Sequence, residues 1–232
     1  RSELIAHEIR ERGGWMGFER FMELALYAPG LGYYSGGRRV LGQRPQDGSD
    51  FVTAPELTPL FGEVLARQVL QALDATGTDE VWEFGAGTGA LAEQLLGELG
   101  DRIRRYVIVD LSGSLRDRQH QRLVKAHPQL AHKVIWADSL PDELCGVIVG
   151  NEVLDAMPVQ LLWRQSGVWH ERGVCATSQG PWAWADRVTD LRPPLSIDGE
   201  HDYLTEIHPQ AEAFVHTLGQ RLRQGAVLLI DY

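Results

Sequence analysis

Three glycines at alternate positions give the clearest indication of a ligand-binding site in this sequence. Gly85, Gly87 and Gly89 follow a short apolar run over residues 81–84 and precede a helical pattern. A strand, a tight glycine turn and a helix in this order form a nucleotide-type pocket. Glycine permits positive φ and close approach of a ligand, and a helix N-terminus presents N–H groups without intrahelical partners.

The spacing of the glycines and one acidic residue indicate which ligand the turn binds. The spacing Gly-x-Gly-x-Gly differs from the dinucleotide fingerprint Gly-x-Gly-x-x-Gly. Glu83, two residues before the first glycine, would repel a pyrophosphate and suits a cationic ligand such as the methionine moiety of S-adenosylmethionine. We therefore predict S-adenosylmethionine as the cofactor, held by Glu83, Gly85, Ala86 and Gly87. A dinucleotide, or a glycine turn that binds no ligand, are the alternatives.

Two further short strands lead to carboxylates. Asp110 ends the apolar run 106–109, about 20 residues past the glycines, where an acidic residue binds ribose hydroxyls in nucleotide-binding folds. Asp138 lies near the end of a third strand over residues 134–140 and could accept a hydrogen bond from the amine of adenine. Leu111 and Ser139 complete this set of predicted cofactor contacts. Asp110 could instead be a helix cap or a solvent-exposed carboxylate, and Asp138 could instead be a turn residue.

A fourth apolar strand, residues 146–150, runs into a polar cluster formed by Asn151, Glu152 and Asp155. Ligands of open α/β sheets bind at this end of the strands, and polar groups there are costly to bury unless they are used. We predict catalytic roles for all three residues, with Asn151 also contacting the cofactor. A capping role is the alternative.

The N-terminal part of the chain is predicted to be helical over residues 2–10 and 17–27. Tyr34, which follows the second helix, is either a core aromatic residue or part of the wall of a substrate cleft. Residues 38–50 are polar, contain Gly and Pro, and are typical of a mobile loop.

The segment after this loop is stiffened by two prolines. Thr58 could cap a helix that has Pro59 at its first position and extends to residue 73. Such a segment could place Thr53 and Glu56 beside the glycine turn, where they would contact substrate. A simple helix-capping box is the alternative.

The pattern changes after the fourth strand. Residues 159–164 and 168–174 form a predicted hairpin, and Trp182 and Trp184 lie in another short extended run. A helix over residues 210–223, stopped by Gly225, then leads to a fifth buried strand over residues 226–232. We predict four segments: an N-terminal helical segment (1–78), a Rossmann-like core (79–158), an inserted β-rich substrate lobe (159–205), and the last helix and strand of the core (206–232).

The composition is ordinary for a globular protein of 232 residues, with 44% hydrophobic and 23% charged residues. A net charge of -10 argues against a general nucleic-acid binder. No apolar run reaches the roughly 18 residues of a membrane span, no signal peptide is visible, and no metal site is predicted. Cys145 and Cys175 are expected to be buried free thiols in a reducing compartment, with a disulfide as the alternative.

Five motifs in this order resemble the MidA-like S-adenosylmethionine-dependent methyltransferases. They are L-Y-x-P-G-x-G-Y-Y at 26–34, T-A-P-E-L-x-x-x-F-G-E at 53–63, E-F-G-A-G-T-G at 83–89, G-N-E-V-L-D-A-M-P at 150–158 and L-I-D-Y at 229–232. This family is related to the mitochondrial complex I assembly factor that methylates an arginine of a complex I subunit.

The resemblance implies an α/β fold of the class I methyltransferase type, a Rossmann-like seven-stranded sheet with N-terminal helices and an inserted lobe. It implies a cofactor site of Glu83, Gly85, Gly87, Asp110, Asp138 and Ser139. The block from Asn151 to Asp155 would lie at the transfer centre. Methyltransferases of this class carry further strands after the fifth, so we expect the C-terminal strands to be missing from this chain.

Our functional hypothesis is a protein arginine methyltransferase in which Glu152 and Asp155 bind and orient the guanidinium. The substrate would be a protein, by resemblance a respiratory complex I subunit. A methyltransferase for a small molecule or another side chain, and a non-catalytic assembly factor, are the alternatives. We expect a cytoplasmic, bacterial-type location, with a mitochondrial one only by family analogy. The sequence does not indicate the oligomeric state.

Overall fold

A computed structural model describes residues 2–33, 53–110, 113–178 and 180–232. The predictions for Tyr34, for Leu111 and for the loop over residues 38–50 lie outside the described residues. The chain divides into two compact units. The antiparallel unit comprises Arg1–Arg38 and Met157–Val215, and the parallel unit comprises Arg39–Ala156 and His216–Tyr232.

The α-helices in the described part of the chain are α1 (Ser2–Glu11), α2 (Phe18–Tyr27), α3 (Ala54–Leu57), α4 (Leu60–Thr76), α5 (Ala90–Leu99), α6 (Gly113–Ala126) and α7 (Pro209–Arg221). None of these helices is long and apolar enough to cross a membrane.

The strands are β1 (Trp15–Gly17), β2 (Glu80–Phe84), β3 (Arg105–Val109), β4 (Val134–Ala137), β5 (Leu144–Asn151), β6 (Gln160–Gln165), β7 (Val168–Cys175), β8 (Ala183–Val188), β9 (Tyr203–Ile207) and β10 (Leu222–Ile230). Short 3-10 helices cover Gly100–Arg102 and Ala131–Lys133.

The parallel unit contains the sheet β10-β5-β2-β3-β4, in which every neighbouring pair is parallel. Its strands are apolar runs because a parallel sheet buries both faces. The strand order reverses between β2 and β5, and such a switch point is where ligands bind in open α/β sheets. This sheet has the α/β architecture predicted from the sequence.

The core of the parallel unit forms where α4, α5 and α6 pack against this sheet. Their apolar residues recur at helical spacing, and the fully buried side chains include Val69, Leu95, Leu96, Ile108, Leu123, Val147 and Val149. The sheet edge that carries the C-terminal ends of β2, β3, β4, β5 and β10 is called the carboxyl edge below.

The antiparallel unit is built on the predicted hairpin, which is confirmed. β6 pairs with β7 and β9, and β7 also pairs with β1 and β8. The sequence did not indicate β1, in which Trp15 lies opposite Cys175. The N-terminal helices thereby share a core with the inserted strands, formed by Ile5, Ile9, Met16, Leu24, Ala28 and Val174.

The tryptophans of the antiparallel unit contact arginines as well as apolar side chains. The Arg172 guanidinium lies 5.1 Å from the ring centre of Trp163 and 6.0 Å from that of Trp184. The same guanidinium donates two hydrogen bonds of 2.8 Å to Asp186. These contacts hold β6, β7 and β8 together through side chains on one face.

The structure corrects the predicted end of the last helix. Helix α7 ends at Arg221, and Gly225 lies inside β10, so the prediction that Gly225 stops the helix is wrong. Gly225 pairs with Gly146 of β5, and their φ values are 145° and 143°. A Cβ at Gly225 would lie 1.8 Å from the Gly146 carbonyl oxygen. Glycine is therefore required by the close approach of two strands.

The two cysteines are both free, as predicted. The expectation that both are buried is wrong for Cys145, which is exposed, while Cys175 is partly buried. Cys145 is the second residue of β5 and the one exposed residue of that strand.

We expect Gly225→Ala to destabilise the parallel unit by about 3 kcal/mol or more, because the new methyl group overlaps the Gly146 carbonyl. Urea denaturation measures this loss. Gly219→Ala is the matched control: Gly219 lies in α7 with nothing within 4 Å of an added Cβ, so the change should stabilise the helix by about 0.5–1 kcal/mol. Equal stabilities of the two variants would contradict this account of Gly225.

Candidate functional site at the carboxyl edge

The glycine turn has the predicted backbone conformation. Gly85, Gly87 and Gly89 have φ values of 66°, 54° and 83°, in the region that side chains disfavour. The Gly89 N–H donates to the Ala86 carbonyl at 2.7 Å, and the Gly89 carbonyl accepts from the Glu93 N–H at 2.9 Å. The turn thus passes directly into α5, whose N-terminal N–H groups are available to an anionic or polar ligand group.

The backbone on both sides of the switch point packs closely against Val153. A Cβ at Gly85, after β2, would lie 3.1 Å from a methyl group of Val153. A Cβ at Gly150, near the end of β5, would lie 3.0 Å from the same methyl group. Glycine at these two positions therefore lets the residues after β5 approach the glycine turn.

The Glu83 carboxyl is buried in the core, with 1% of the residue exposed. Burial raises the pKa of Glu83 to about 7, the Tyr106 hydrogen bond lowers this pKa, and the nearby charge of Asp110 raises it. Tyr106 donates that hydrogen bond to Oε2 of Glu83 at 2.7 Å. The sequence analysis took Glu83 as an acidic residue that suits a cationic ligand, and in the structure its charge depends on pH near neutrality.

Asp110, the predicted ribose ligand, follows β3 and contacts a residue that the sequence analysis missed. The Nε2 of Gln119, a fully buried residue of α6, donates to Oδ2 of Asp110 at 2.9 Å and to the Gly87 carbonyl at 2.9 Å. Trp136 of β4 donates to Oε1 of Gln119 at 2.8 Å. One carboxamide therefore links the ends of three neighbouring strands.

Asp138 follows β4 and forms an ion pair with Arg116 of α6 at 2.5 Å. Arg116 also donates to the backbone carbonyls of Asp110, at 2.6 Å, and Ala137, at 3.0 Å. The Asp138 side chain is largely exposed, as is Ser139. β4 ends at Ala137, so both residues lie in the bend after the strand rather than in a strand to residue 140.

Glu56 lies beside the glycine turn. Its side chain is buried, accepts a hydrogen bond from the Thr88 hydroxyl, and pairs with Arg122 at 3.0 Å. Arg122 also pairs with Glu93 of α5. Thr53 precedes α3, and its side chain makes no capping hydrogen bond. Glu56 thus fastens α3 to the glycine turn, and its substrate contact stays a prediction.

The last residue of β5 and the four residues that follow it, 151–155, form what we call the acidic turn. Glu152 has a φ of 52°, which is uncommon outside glycine. Its N–H donates to the Ile230 carbonyl at 2.8 Å. Asp231, at the end of β10, accepts hydrogen bonds from the N–H groups of Leu154 and Asp155, both at 3.0 Å. The end of β10 therefore holds the turn in place.

Three carboxylates and a phenol converge at the acidic turn. Partial burial and the charges of Asp231 and Glu152 raise the pKa of Asp155. The pKa of Tyr232 is raised by burial and by its hydrogen bond to Glu152. The Ala54 N–H donates to the Tyr232 hydroxyl at 3.2 Å. Asp231 and Tyr232 were not assigned to the site, although both lie in the motif L-I-D-Y at the end of a predicted strand.

These residues fit a nucleoside ligand that carries a cationic amine. Oδ1 of Asn151 is buried and has no hydrogen-bond partner in the described part of the chain, so a ligand N–H would satisfy it. The left-handed glycine turn leaves room for close approach, and Asp110 provides a carboxylate at the distance along the chain expected for a ribose. The roles predicted for Thr53, Glu56, Asp138, Ser139 and the acidic turn remain predictions.

The strand order and the glycine turn define a Rossmann-like fold of the class I methyltransferase type. A family model described as "Putative S-adenosyl-L-methionine-dependent methyltransferase" matches residues 64–232. The chain belongs to this family.

Among solved structures, a Burkholderia thailandensis protein bound to S-adenosyl-homocysteine is 51% identical, with a TM-score of 0.90 over 100% of this chain and 62% of that chain. A native structure from the same organism is 48% identical, with a TM-score of 0.84 over 100% of this chain and 61% of that chain.

Two curated relatives are mitochondrial proteins named protein arginine methyltransferase NDUFAF7. The Caenorhabditis elegans homolog is 28% identical over 91% of this chain, and the human protein is 26% identical over 91%. The chain spans 57% of the length of the first and 54% of the second.

We expect the stability of the protein to depend on pH through Glu83. The folded pKa of about 7 lies above the usual glutamate value of 4.5, so the folded state keeps this proton to a higher pH than the unfolded chain does. The contribution of Glu83 to stability is complete below the unfolded pKa and is lost as pH rises through the folded pKa. Between about pH 4.5 and pH 8 the loss is about 3 kcal/mol.

Glu83→Gln cannot ionise and should lack this loss, because its amide oxygen can still accept from Tyr106. The measurement is the difference in unfolding free energy between wild type and variant at each pH. Glu98→Gln, a change at an exposed residue of α5, should leave the pH dependence as in wild type. If wild type and Glu83→Gln follow the same pH profile, the buried carboxyl is not the cause.

Proposed function

We propose that this protein binds S-adenosylmethionine at the carboxyl edge and transfers its methyl group to an arginine of a protein substrate. The observation that carries the proposal is that three features lie at the carboxyl edge, after the neighbouring strands β2 and β3 and at the end of β5. They are the left-handed glycine turn, the Asp110 carboxylate and the unpartnered buried oxygen of Asn151. Family membership and the relative bound to S-adenosyl-homocysteine support the same cofactor.

In this proposal each part of the cofactor has a chemically matched partner. The Asp110 carboxylate would accept hydrogen bonds from the ribose hydroxyls, and Oδ1 of Asn151 would accept from the amine of the methionine moiety. Asp138 and Ser139, in the bend after β4, are proposed for the adenine. Ala86 and Gly87 would contact the ligand through their backbone. When bound, the cofactor supplies an electrophilic methyl group on a positively charged sulfur.

The acidic turn is proposed to receive the guanidinium. Glu152, Asp155 and Asp231 lie close enough for two of these charges to raise the pKa of Asp155. A guanidinium placed among them would relieve the mutual repulsion and could be bound in fork geometry, which a planar cation with five donors suits better than an ammonium does. The tyrosine hydroxyl at position 232 adds a further polar group.

The transfer itself is a displacement at the methyl carbon. A guanidinium nitrogen forms a bond to the carbon while the carbon–sulfur bond breaks and its electron pair goes to sulfur. Because free arginine has a pKa above about 12, a base must take the proton that the nitrogen loses. Glu152 is the proposed base, Asp155 would fix the guanidinium plane, and correct alignment would supply most of the acceleration.

The names of the curated relatives support an arginine of a protein as the acceptor. A respiratory complex I subunit is the proposed protein substrate, by the resemblance of the motifs alone.

We expect Glu152→Gln to retain S-adenosylmethionine binding within about threefold and to lose about 10²–10⁴-fold in turnover, the range of a general base. Calorimetry measures binding. Transfer of labelled methyl to two peptide libraries, one with a single Arg per peptide and one with Lys in its place, measures turnover and acceptor type.

Asp142→Asn is the control, because Asp142 is an exposed carboxylate just before β5, at the opposite end of that strand. It should change neither binding nor turnover. Unchanged turnover of Glu152→Gln would remove Glu152 from the mechanism, and label in the lysine library would overturn the arginine assignment. Absence of S-adenosylmethionine binding by the unaltered protein would overturn the proposed function as a whole.

A further inference from the structure

Gln119 of α6 bonds to two of the proposed cofactor contacts, Gly87 and Asp110. It is fully buried on α6 and has no accessible surface. Its amide nitrogen makes hydrogen bonds of 2.9 Å to Oδ2 of Asp110 and to the Gly87 carbonyl, and its oxygen accepts from Trp136 at 2.8 Å. Both N–H groups and the oxygen of this carboxamide are therefore used.

These three bonds connect groups that approach the proposed ligand from different strands. Gly87 belongs to the turn after β2, Asp110 follows β3, and Trp136 lies in β4. Within the turn, a Cβ at Gly89 would lie 3.3 Å from Cγ of Gln119. One side chain thus bonds to both the Asp110 carboxylate and the glycine turn.

The chemistry of the carboxamide suits this position. A lysine or arginine here would bring a positive charge to Asp110, and a glutamate would repel it. A neutral amide donates to the carboxylate without cancelling its charge, so Asp110 remains a strong acceptor. A buried carboxamide with all its polar atoms bonded also has a single preferred orientation.

We propose that Gln119 is a positioning residue for ribose recognition, which holds the Asp110 carboxylate at a fixed distance from the glycine turn. The inference rests on the proposed function, because it takes Asp110 as the ribose ligand. Gln119 itself would not touch the ligand. Its loss should weaken the part of the binding free energy that comes from the ribose hydroxyls and leave the remainder nearly unchanged.

The test is a thermodynamic cycle between Gln119→Met and the ligand hydroxyls. Calorimetry gives the Kd of S-adenosylhomocysteine and of its analogue that lacks the 2′- and 3′-hydroxyls. We expect Gln119→Met to weaken S-adenosylhomocysteine binding about 10-fold or more and binding of the analogue less than about 3-fold, because a buried polar partner is left misplaced.

Gln94→Met is the matched control. The Gln94 carboxamide also links two backbone segments of the parallel unit, since it accepts from the Gly62 N–H at 3.1 Å and donates to the Pro55 carbonyl at 2.7 Å. Replacement of Gln94 should raise the Kd of both ligands by the same factor or leave both Kd values unchanged. If Gln119→Met does not fold, Trp136→Phe removes the hydrogen bond to Oε1 of Gln119 together with part of the indole ring, and should reduce the preference for the hydroxylated ligand about 2–5-fold.

The outcomes separate the two proposals. Equal weakening of both ligands by the variant used, Gln119→Met or Trp136→Phe, would overturn the positioning role while leaving the cofactor assignment intact. Unchanged binding of S-adenosylhomocysteine by that variant would also overturn the positioning role and leave the cofactor assignment intact. If the unaltered protein binds neither ligand, or binds both equally, the ribose role of Asp110 fails, and the inference about Gln119 fails with it.

Discussion

Backbone carbonyls at the carboxyl edge of the parallel sheet need hydrogen-bond donors. The positions of the other residues of the site depend on the side chains that supply these donors. Parallel strands end side by side, so several carbonyls emerge where the chain must also leave space for a ligand. Helix α6 supplies the donors from one face, because Arg116, Gln119 and Arg122 are spaced three residues apart. They bond to the carbonyl that follows β3, to the last carbonyl of β4, to the glycine turn, and to the buried Glu56.

A second constraint acts on the other side of the switch point. The acidic turn places Glu152 in a left-handed conformation, which costs of order 1 kcal/mol or more for a residue other than glycine. The conformation persists because β10 holds it through the Ile230 carbonyl and the Asp231 carboxylate. The contact of Gly225 with Gly146 lies in the same pairing of β10 with β5, which ends at Ile230 and Asn151 beside the acidic turn.

The sequence predicted the features that depend on neighbouring residues. The strands that form the carboxyl edge are apolar runs, and the positive φ of the glycine turn follows from glycine spacing alone. Gln119, Arg116 and Arg122 were missed because α6 is a polar helix whose sequence does not distinguish an inward polar face from a solvated one. The three-residue strand β1 was missed because its pairing partner lies about 160 residues away. Gly225 was misassigned because the sequence alone does not distinguish a glycine required by a contact between strands from a glycine that ends a helix.

The buried Glu83 changes how the electrostatic argument for a cationic ligand should be understood. The argument from sequence took Glu83 as a fixed negative charge, whereas the structure gives it a pKa of about 7. Desolvation disfavours the charged form, and a cation bound nearby favours it. The attraction is therefore conditional, because ligand binding and loss of the Glu83 proton would each promote the other. Asp110, whose charge raises the pKa of Glu83, would be partly screened by a bound ligand, and this screening acts in the same direction. In the absence of ligand, a protonated Glu83 leaves less buried negative charge in the site. The free energy that the ligand-free protein loses by burying this carboxyl is therefore smaller.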